Sequence, residues 1–231
     1  MAEGEQRVIL LAGASGYVGS LALDALLDSA DISRVYAITR RPLGREHPRL
    51  ANRIVRFEQI ESQLEGLICH AALCSLGTTM RQTGSEQAFR EVDFDAVLAF
   101  ARTAKAARAQ RFVVVSAAGA DPKSKNFYLR TKGEMEEALA GVGFQSLDIL
   151  QPSLLLGWRR EVRPLELLGS VFMPLINPFL TGKREPWRAI PARTVAAAMA
   201  GATRSGRRGI QRHTYSTIQA LSRIKPARTV K

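Results

Sequence analysis

A tyrosine and a lysine stand four residues apart, at Tyr128 and Lys132. Four residues make about one turn of an α-helix, so the phenol and the ammonium would lie on one face. A nearby ammonium stabilises a phenolate, and such a tyrosine can give or take a proton in catalysis. Ser116 ends an apolar run twelve residues before Tyr128. We interpret these residues as an acid–base set; a surface pair of Tyr128 and Lys132 is the alternative.

Glycines occupy the first, fourth and seventh positions of the segment 13–19, directly after an apolar run. Glycine permits a tight turn, close approach of the backbone to a pyrophosphate, and close packing of a helix on a strand. A helix that begins here would add unpaired N–H groups and a dipole that favours an anion. The pattern predicts a dinucleotide site at the start of the chain; a simple turn is the alternative.

Two arginines, Arg40 and Arg41, follow the second apolar run, Val35–Thr39. A carboxylate at the end of this strand would bind the adenosine ribose and repel a 2′-phosphate, but no Asp or Glu stands there. Guanidinium groups match phosphate in geometry and charge. The sequence therefore favours NADPH over NADH; two solvated arginines before a loop are the alternative.

Short apolar runs alternate with helical patterns through most of the sequence, and this alternation must position the residues above. Predicted strands cover 7–12, 35–39, 54–57, 67–76, 112–116 and 147–150, and predicted helices cover 19–27, 85–109, 127–139 and 192–202. Strands that alternate with helices predict an α/β fold, a Rossmann-type doubly wound parallel sheet with a small C-terminal cap. Ligands of such sheets bind at the carboxyl ends of the strands, where Ser116 is expected to lie.

The 231 residues suit a single NAD(P)-binding domain. We expect its core at 7–157, a small C-terminal cap at 158–204 and a basic tail at 205–231. The apolar segment 168–180 would be a lid, a partner groove or a membrane-touching loop, with packing as core or lid preferred. Three separated histidines and two cysteines have no metal-ligand spacing, so no metal site is predicted.

The net charge of +12 is concentrated at the end of the sequence. Ten of the 33 basic residues and none of the 21 acidic residues follow Glu185, so the rest of the chain is nearly neutral. A basic strip of this kind attracts polyanions weakly, and no motif of a nucleic-acid-binding sheet accompanies it. We expect no specific nucleic-acid partner.

The sequence has no uninterrupted apolar run of about 20 residues, so we expect no membrane span. The acidic N-terminal segment lacks the apolar core of a secretory signal peptide. Cys69 and Cys74 are too few for a disulfide framework and are expected to be buried thiols. Together these features predict a reducing, cytoplasmic location.

At these motifs the chain resembles the short-chain dehydrogenase/reductase superfamily, and its glycine spacing is that of the extended and atypical branches. The resemblance is greatest to one atypical group, the NADPH-binding proteins related to the Tat-interacting protein. It runs in order from residue 7 to about residue 157. The segments that carry it are Gly13–Gly16, Arg40–Arg41, Ser75–Thr79, Val92–Asp95, Gly119–Asp121, Asn126–Tyr128 and Lys132–Glu136.

The resemblance implies a role for each matching position. Gly13, Ser15, Gly16, Tyr17, Val18 and Gly19 would hold the pyrophosphate, and Arg40 with Arg41 the 2′-phosphate. The loop residues Leu76, Gly77 and Thr78 would line the ribose and nicotinamide, which Pro152, Ser153 and Leu155 would flank. Ser116 would hydrogen-bond a substrate carbonyl, Tyr128 would transfer the proton, and Lys132 would tune Tyr128 and bind ribose. Asp93 stands where many catalytic members have an asparagine in a proton relay; a helix-surface residue is the alternative, and Asp93 is left out of the expected site.

Two function classes follow from these residues and the resemblance. The preferred one is an NADPH-dependent reductase that transfers hydride to a small carbonyl-like substrate of unknown identity. The alternative is an NADP(H)-binding sensor or scaffold with little or no turnover, which Ala117 favours because relatives commonly have a second serine there. Either a monomer or a homodimer fits the sequence.

Overall fold

Seven parallel strands form the central sheet of the computed structural model, which describes residues 6–156 and 180–225. The sheet has the spatial order β3-β2-β1-β4-β5-β6-β9, so the chain starts in the middle and winds outward in both directions. A separate pair, β7 and β8, lies beside it. The strands are β1 (Arg7–Ala12), β2 (Ile32–Thr39), β3 (Leu50–Ile54), β4 (Ala71–Cys74), β5 (Arg111–Val115), β6 (Ser146–Leu150), β7 (Leu155–Leu156), β8 (Ile190–Pro191) and β9 (Gly209–His213).

Helices cover both faces of the sheet, and each face buries its own apolar cluster. One face carries α1, α7 and α8, and the other carries α2, α5 and α6. This arrangement confirms the predicted doubly wound, Rossmann-type α/β fold. The helices are α1 (Tyr17–Leu27), α2 (Ile60–Gln63), α3 (Met80–Thr83), α4 (Glu86–Arg90), α5 (Ala96–Ala106), α6 (Phe127–Ala140), α7 (Ala192–Ala202) and α8 (Tyr215–Ser222).

The third strand differs from its prediction. β3 ends at Ile54 instead of beginning there, and Phe57 already starts a short 3-10 turn. β3 is an edge strand that pairs with β2, and its residues are half-buried or exposed. An edge strand has one neighbouring strand and side chains that are partly exposed to solvent. Its sequence therefore lacks the continuous apolar run of β1.

The predicted basic tail from residue 205 is also corrected by the structure. β9 pairs in parallel with β6 from Ser146↔Gly209 to Leu150↔His213, and so extends the sheet. Behind it, α7 and α8 pack together against α1. β9 is a mostly exposed edge strand whose five residues include Gly209, Gln211 and Arg212, so the sequence does not display the apolar pattern of a strand. Within the predicted cap, residues 158–179 lie outside the described residues and include nearly all of the apolar segment 168–180.

The predicted helix 85–109 consists of three consecutive segments. α4 is followed by a π-helical turn at Glu91–Asp95 and then by α5. Such turns insert one extra residue, and they are frequent at functional sites. Asp93 lies within this turn and is 1% exposed.

Both cysteines are free and buried. Burial raises the pKa of the Cys69 thiol to about 12, and it does the same for Cys74. Among the described residues, no helix has the length and apolar character to cross a membrane. The same part of the chain holds no group of three or more potential metal ligands.

Candidate functional site

A cleft of about 750 Å³ opens at the carboxyl ends of β1, β4, β5 and β6. This edge is where doubly wound sheets bind their ligands, because strand order reverses there. The cleft brings together most of the residues singled out in the sequence. Its lining is Ser15, Gly16, Tyr17, Val18, Ser20, Ser75, Leu76, Gly77, Thr78, Thr79, Gln82, Asp93, Val115, Ser116, Tyr128, Lys132, Pro152, Ser153, Leu154 and Leu155.

The glycine loop forms one wall of the cleft and leads into α1. Gly13 has a φ of +85°, a conformation that L side chains rarely adopt. A Cβ on Gly19 would stand 2.0 Å from the Gly13 carbonyl oxygen, so the first turn of α1 packs directly on the loop. The Gly16 N–H donates to that same oxygen at 2.9 Å. The backbone N–H groups that begin α1 therefore lie at the cleft, as an anion site requires.

Arg40 and Arg41 follow β2 beside this loop, and both are exposed. Neither lines the 750 Å³ cleft, so any ligand they hold would extend beyond it. The Thr39 hydroxyl donates to the Arg41 carbonyl oxygen at 2.8 Å and shapes the turn. Neither arginine has an acidic partner among the described residues, whereas nearby Arg45 pairs with Asp24. Two cations without an acidic partner among the described residues therefore stand next to the wall formed by the glycine loop.

Two loops complete the cleft on the other side of the sheet's midpoint. In the loop after β4, the Thr78 N–H donates to Asp93 Oδ2 at 2.8 Å. In the loop after β6, the Pro152 carbonyl oxygen accepts from the Ala118 N–H at 3.0 Å. The Ser153 hydroxyl donates to the Trp187 carbonyl oxygen at 3.1 Å and ties this loop to the following segment. Both loops therefore have fixed backbone positions.

Tyr128 and Lys132 lie one turn apart on α6 and both face the cleft, as their spacing predicts. Tyr128 is 37% exposed, and its ring packs on Phe89 with 5.7 Å between centroids. Lys132 is buried. The phenol is therefore within reach of solvent and ligand, while the ammonium is enclosed.

Lys132 has a buried counter-charge that sequence reasoning did not assign. Its Nζ lies 2.7 Å from Asp93 Oδ1. Burial is the largest single influence and lowers the pKa of Lys132, but the Asp93 carboxylate, with smaller contributions from Tyr128 and Cys74, holds that pKa above its ordinary value. Asp93 is thus a buried residue that lines the cleft, although it was left out of the expected site, and the helix-surface alternative does not hold. The signal that could have found it is its position, where related enzymes have an asparagine, but the π-helical turn hides its direction.

Ser116, at the end of β5, is tied to a second buried carboxylate. Its hydroxyl donates to Glu136 Oε1 at 2.6 Å, and Glu136 also lies on α6. Sequence reasoning missed Glu136 as well. It continues the four-residue spacing of Tyr128 and Lys132, so this stripe on one helix face was a usable signal. The helix therefore supplies a phenol, an ammonium and a carboxylate to one edge of the sheet.

Comparisons of sequence show relatives along most of the chain. The rat protein HTATIP2 is 34% identical over 200 residues, which cover 84% of this chain and 80% of the rat protein. The mitochondrial protein fmp52 of Emericella nidulans is 30% identical over 186 residues, 78% of this chain and 80% of its own. FMP52 of Coccidioides immitis is 29% identical over 92% of each chain. No protein-family model matches the sequence.

Solved structures with a similar fold are far more distant in sequence. MoeE5, in complex with UDP-glucuronic acid and NAD, is 17% identical with a TM-score of 0.67, covering 88% of this chain and 74% of its own. The Bordetella bronchiseptica enzyme WbmG, in complex with NAD, is 13% identical with a TM-score of 0.69, covering 95% and 77%. At these identities the likeness concerns the fold.

The predicted cytoplasmic location is wrong by comparison with these relatives. Several fungal relatives, including FMP52 of Lodderomyces elongisporus at 32% identity, are named mitochondrial proteins. The lack of an apolar core in the N-terminal segment argues only against a secretory signal peptide. Buried thiols are compatible with more than one reducing compartment. Neither feature could therefore decide the location.

Proposed function

Because the chain belongs to the atypical short-chain dehydrogenases/reductases of the HTATIP2 type, we propose that it is an NADPH-dependent oxidoreductase that reduces a small carbonyl-like substrate. The observation that carries this proposal is the cleft itself. One 750 Å³ space is lined by the phosphate-type glycine loop together with Ser116, Tyr128 and Lys132. A dinucleotide wall and an acid–base set on the same cleft suit hydride transfer, in which the protein orients the reactants.

The residues present fit a nicotinamide dinucleotide. Gly13 and Gly19 let the loop pack tightly against Ser75 and the start of α1, and this packing leaves Ser15, Gly16 and Tyr17 at the cleft, where their backbone can approach a pyrophosphate. The neighbours MoeE5 and WbmG were solved with NAD, which supports a cofactor of this class. Arg40 and Arg41, exposed and without acidic partners among the described residues, favour the 2′-phosphorylated form. Thr39 at the end of β2 offers no carboxylate against it.

In this proposal the chain supplies binding, orientation and the proton. When bound, the cofactor supplies the hydride that the carbonyl carbon accepts. Tyr128 Oη donates a proton to the carbonyl oxygen, so the product is an alcohol. The phenolate left on Tyr128 is stabilised by the nearby Lys132 ammonium and regains its proton from solvent, to which Tyr128 is 37% exposed. Ser116 also lines the cleft, and it is the residue proposed to hydrogen-bond the substrate.

A cofactor-dependent sensor with little turnover is the second candidate, and two contacts favour it. Lys132 is paired with Asp93 at 2.7 Å, so part of its charge is already balanced by the protein. Ser116 gives its hydrogen to Glu136 at 2.6 Å. Two of the three groups expected to act on a substrate thus have strong partners within the chain.

The test is transfer of a label from NADPH deuterated at the hydride position, with a cell extract as the metabolite pool and detection by mass spectrometry. Wild type should label one metabolite or a small set, and Tyr128→Phe should lower the labelling rate about 100-fold or more. The phenylalanine ring keeps the packing on Phe89, so cofactor binding should persist. Tyr215→Phe, on α8 and outside the residues that line the cleft, is the matched control and should label like wild type.

Two results would contradict the reductase. Equal labelling by wild type and Tyr128→Phe would remove the proposed acid from the reaction. No label with wild type, although it binds NADPH, would favour the sensor. In that case the cofactor-loaded and cofactor-free forms should differ in the partners they bind.

A further inference from the structure

Glu136 is the centre of a buried hydrogen-bond network that the proposed reaction does not use. The carboxylate is 2% exposed and accepts from groups on three other segments. Ser116 Oγ lies 2.6 Å from its Oε1, and Gln151 Nε2 lies 2.8 Å from the same oxygen. Arg212 Nε, on β9, lies 2.9 Å from Oε2. Three donors and one positive charge converge on a single carboxylate.

This network determines the direction of the Ser116 hydrogen bond. A carboxylate has no proton to give, so it can act only as an acceptor. Arg212 and Gln151 likewise present N–H donors to this carboxylate, at 2.9 Å and 2.8 Å. A separation of 2.6 Å is typical of O–H···O⁻ bonds. The single hydrogen of the Ser116 hydroxyl is therefore given to Glu136, and toward the cleft the oxygen presents lone pairs.

We infer that Ser116 is a hydrogen-bond acceptor toward the cleft, and that the substrate is a carbonyl compound with an O–H or N–H group next to the carbonyl. This inference rests on the proposed function, in which Tyr128 protonates the carbonyl oxygen. A plain carbonyl has no hydrogen to offer Ser116, whereas a neighbouring hydroxyl or amino group does. The role implied by the family resemblance, donation from Ser116 to the carbonyl, is reversed.

The donor that reaches Ser116 has two possible sources. One is the substrate, and the other is an N–H of the cofactor's carboxamide. Measuring the affinity for NADPH in the absence of substrate distinguishes these two sources. If the cofactor supplies the donor, Ser116→Ala weakens NADPH binding about tenfold without any substrate, the size expected for one lost hydrogen bond. The inference requires NADPH affinity to stay within about twofold of wild type, since the substrate supplies the donor.

Glu136→Gln should reverse the donor direction at Ser116 without a change in size. Arg212 still needs an acceptor, so the new amide oxygen should take the place of Oε2 and its NH₂ group the place of Oε1. That NH₂ group would donate to Ser116, and the serine hydrogen would turn to the cleft. Gln151 can rotate its own amide to present oxygen. The variant should therefore prefer plain carbonyls.

Matched pairs of ketones measure the preference: acetoin against butanone, and α-hydroxyacetophenone against acetophenone. With NADPH-loaded wild type, the hydroxyketone of each pair should be bound or reduced about tenfold better. Ser116→Ala should bring the two members of a pair within about twofold. Glu136→Gln should favour the plain ketone. A wild type that prefers the plain ketone, or a Glu136→Gln that keeps the wild-type preference while folded, would overturn the inference.

Neutron diffraction from crystals of wild type grown in D₂O tests the premise without any substrate. The deuteron of Ser116 should lie on the line to Glu136; a deuteron that points into the cleft overturns the inference, whatever the ketones do. This result also separates the two proposals. If the deuteron lies between Ser116 and Glu136 but no metabolite is labelled in the transfer experiment, Ser116 is still an acceptor toward the cleft. The result then contradicts the proposed reductase instead.

Discussion

The two halves of the cleft are built in different ways. The half around the glycine loop consists mainly of backbone groups, and the exposed cations Arg40 and Arg41 stand just outside it. The half around α6 consists mainly of side chains, and its buried Lys132 and Ser116 each have a carboxylate partner on another element. Asp93 holds Lys132 from the π-helical turn, and Glu136 holds Ser116 across to β5.

The buried side chains of the α6 half therefore stabilise the fold, whereas the groups around the glycine loop determine the affinity for ligands. Removal of a buried partner in the α6 half leaves a charge or a hydroxyl unpaired, so the free energy of unfolding falls. Removal of an exposed arginine leaves the free energy of unfolding nearly unchanged and lowers the affinity for the ligand. Substitutions on the two sides should therefore separate effects on unfolding from effects on binding.

The largest effect is expected for Asp93→Ala, which leaves the Lys132 ammonium buried without a counter-charge. The free energy of unfolding should fall by about 3–5 kcal/mol. Adding Lys132→Met should recover much of this loss, because an apolar side chain of similar length needs no partner. Urea denaturation of the single and double variants measures both values. A loss below about 1 kcal/mol in Asp93→Ala would show that the pair is not a buried one in solution.

The same ion pair predicts how stability depends on alkaline pH. The pKa of Lys132 lies above its ordinary value of 10.5 in the folded chain. The pair therefore contributes its full stabilisation below pH 10.5, and this contribution is lost as the pH rises through the higher folded pKa. Wild type should lose stability more steeply in that range than the Asp93→Ala/Lys132→Met variant, in which the buried thiols still titrate.

A smaller effect, shared between folding and binding, is expected for Gly19→Ala. The new Cβ would stand 2.0 Å from the Gly13 carbonyl oxygen, so the loop or α1 must shift. Overpacking of this kind costs about 1–3 kcal/mol, and the displaced backbone should also bind NADPH less tightly. Gly206→Ala is the matched control, since a Cβ there meets nothing within 4 Å. Equal stability and NADPH affinity in the two variants would contradict the close packing of loop and helix.

The smallest effect on folding, with the clearest effect on the ligand, is expected for Arg40→Ala combined with Arg41→Ala. Both side chains are exposed, so the free energy of unfolding should change by less than about 0.5 kcal/mol. The ratio of NADPH to NADH affinity should fall about tenfold or more through loss of charge-assisted hydrogen bonds. Arg45→Ala removes a nearby arginine that pairs with Asp24 and should leave this ratio unchanged. An unchanged ratio in the double variant would contradict a 2′-phosphate site here.

Much of the fold could be predicted because its signals are local. The apolar residues of β1, the four-residue spacing of Tyr128 and Lys132, and the bounds of α7 all appear in the structure as the sequence predicts. The edge strands β3 and β9 were misplaced or missed. Each has one strand neighbour and a partly solvated surface, so neither displays a continuous apolar run.

The site divides in the same way. The glycine loop lies at the cleft because its conformation depends on residues within one turn, which the sequence displays directly. The two buried carboxylates depend on contacts between distant positions. Asp93 and Lys132 are 39 residues apart, and Arg212 lies 76 residues from Glu136.

Interactions between near neighbours determine the alternation of the central strands with helices, the glycine turn before α1, and the helix that carries Tyr128 and Lys132, so the sequence predicts all three. Tertiary structure alone decided that Asp93 faces Lys132, that Ser116 gives its hydrogen to Glu136, and that a basic segment completes the sheet as β9. The physical reason is that an ion pair or hydrogen bond depends on distance and burial. Both are set when separate elements pack together, and spacing along the chain does not encode them.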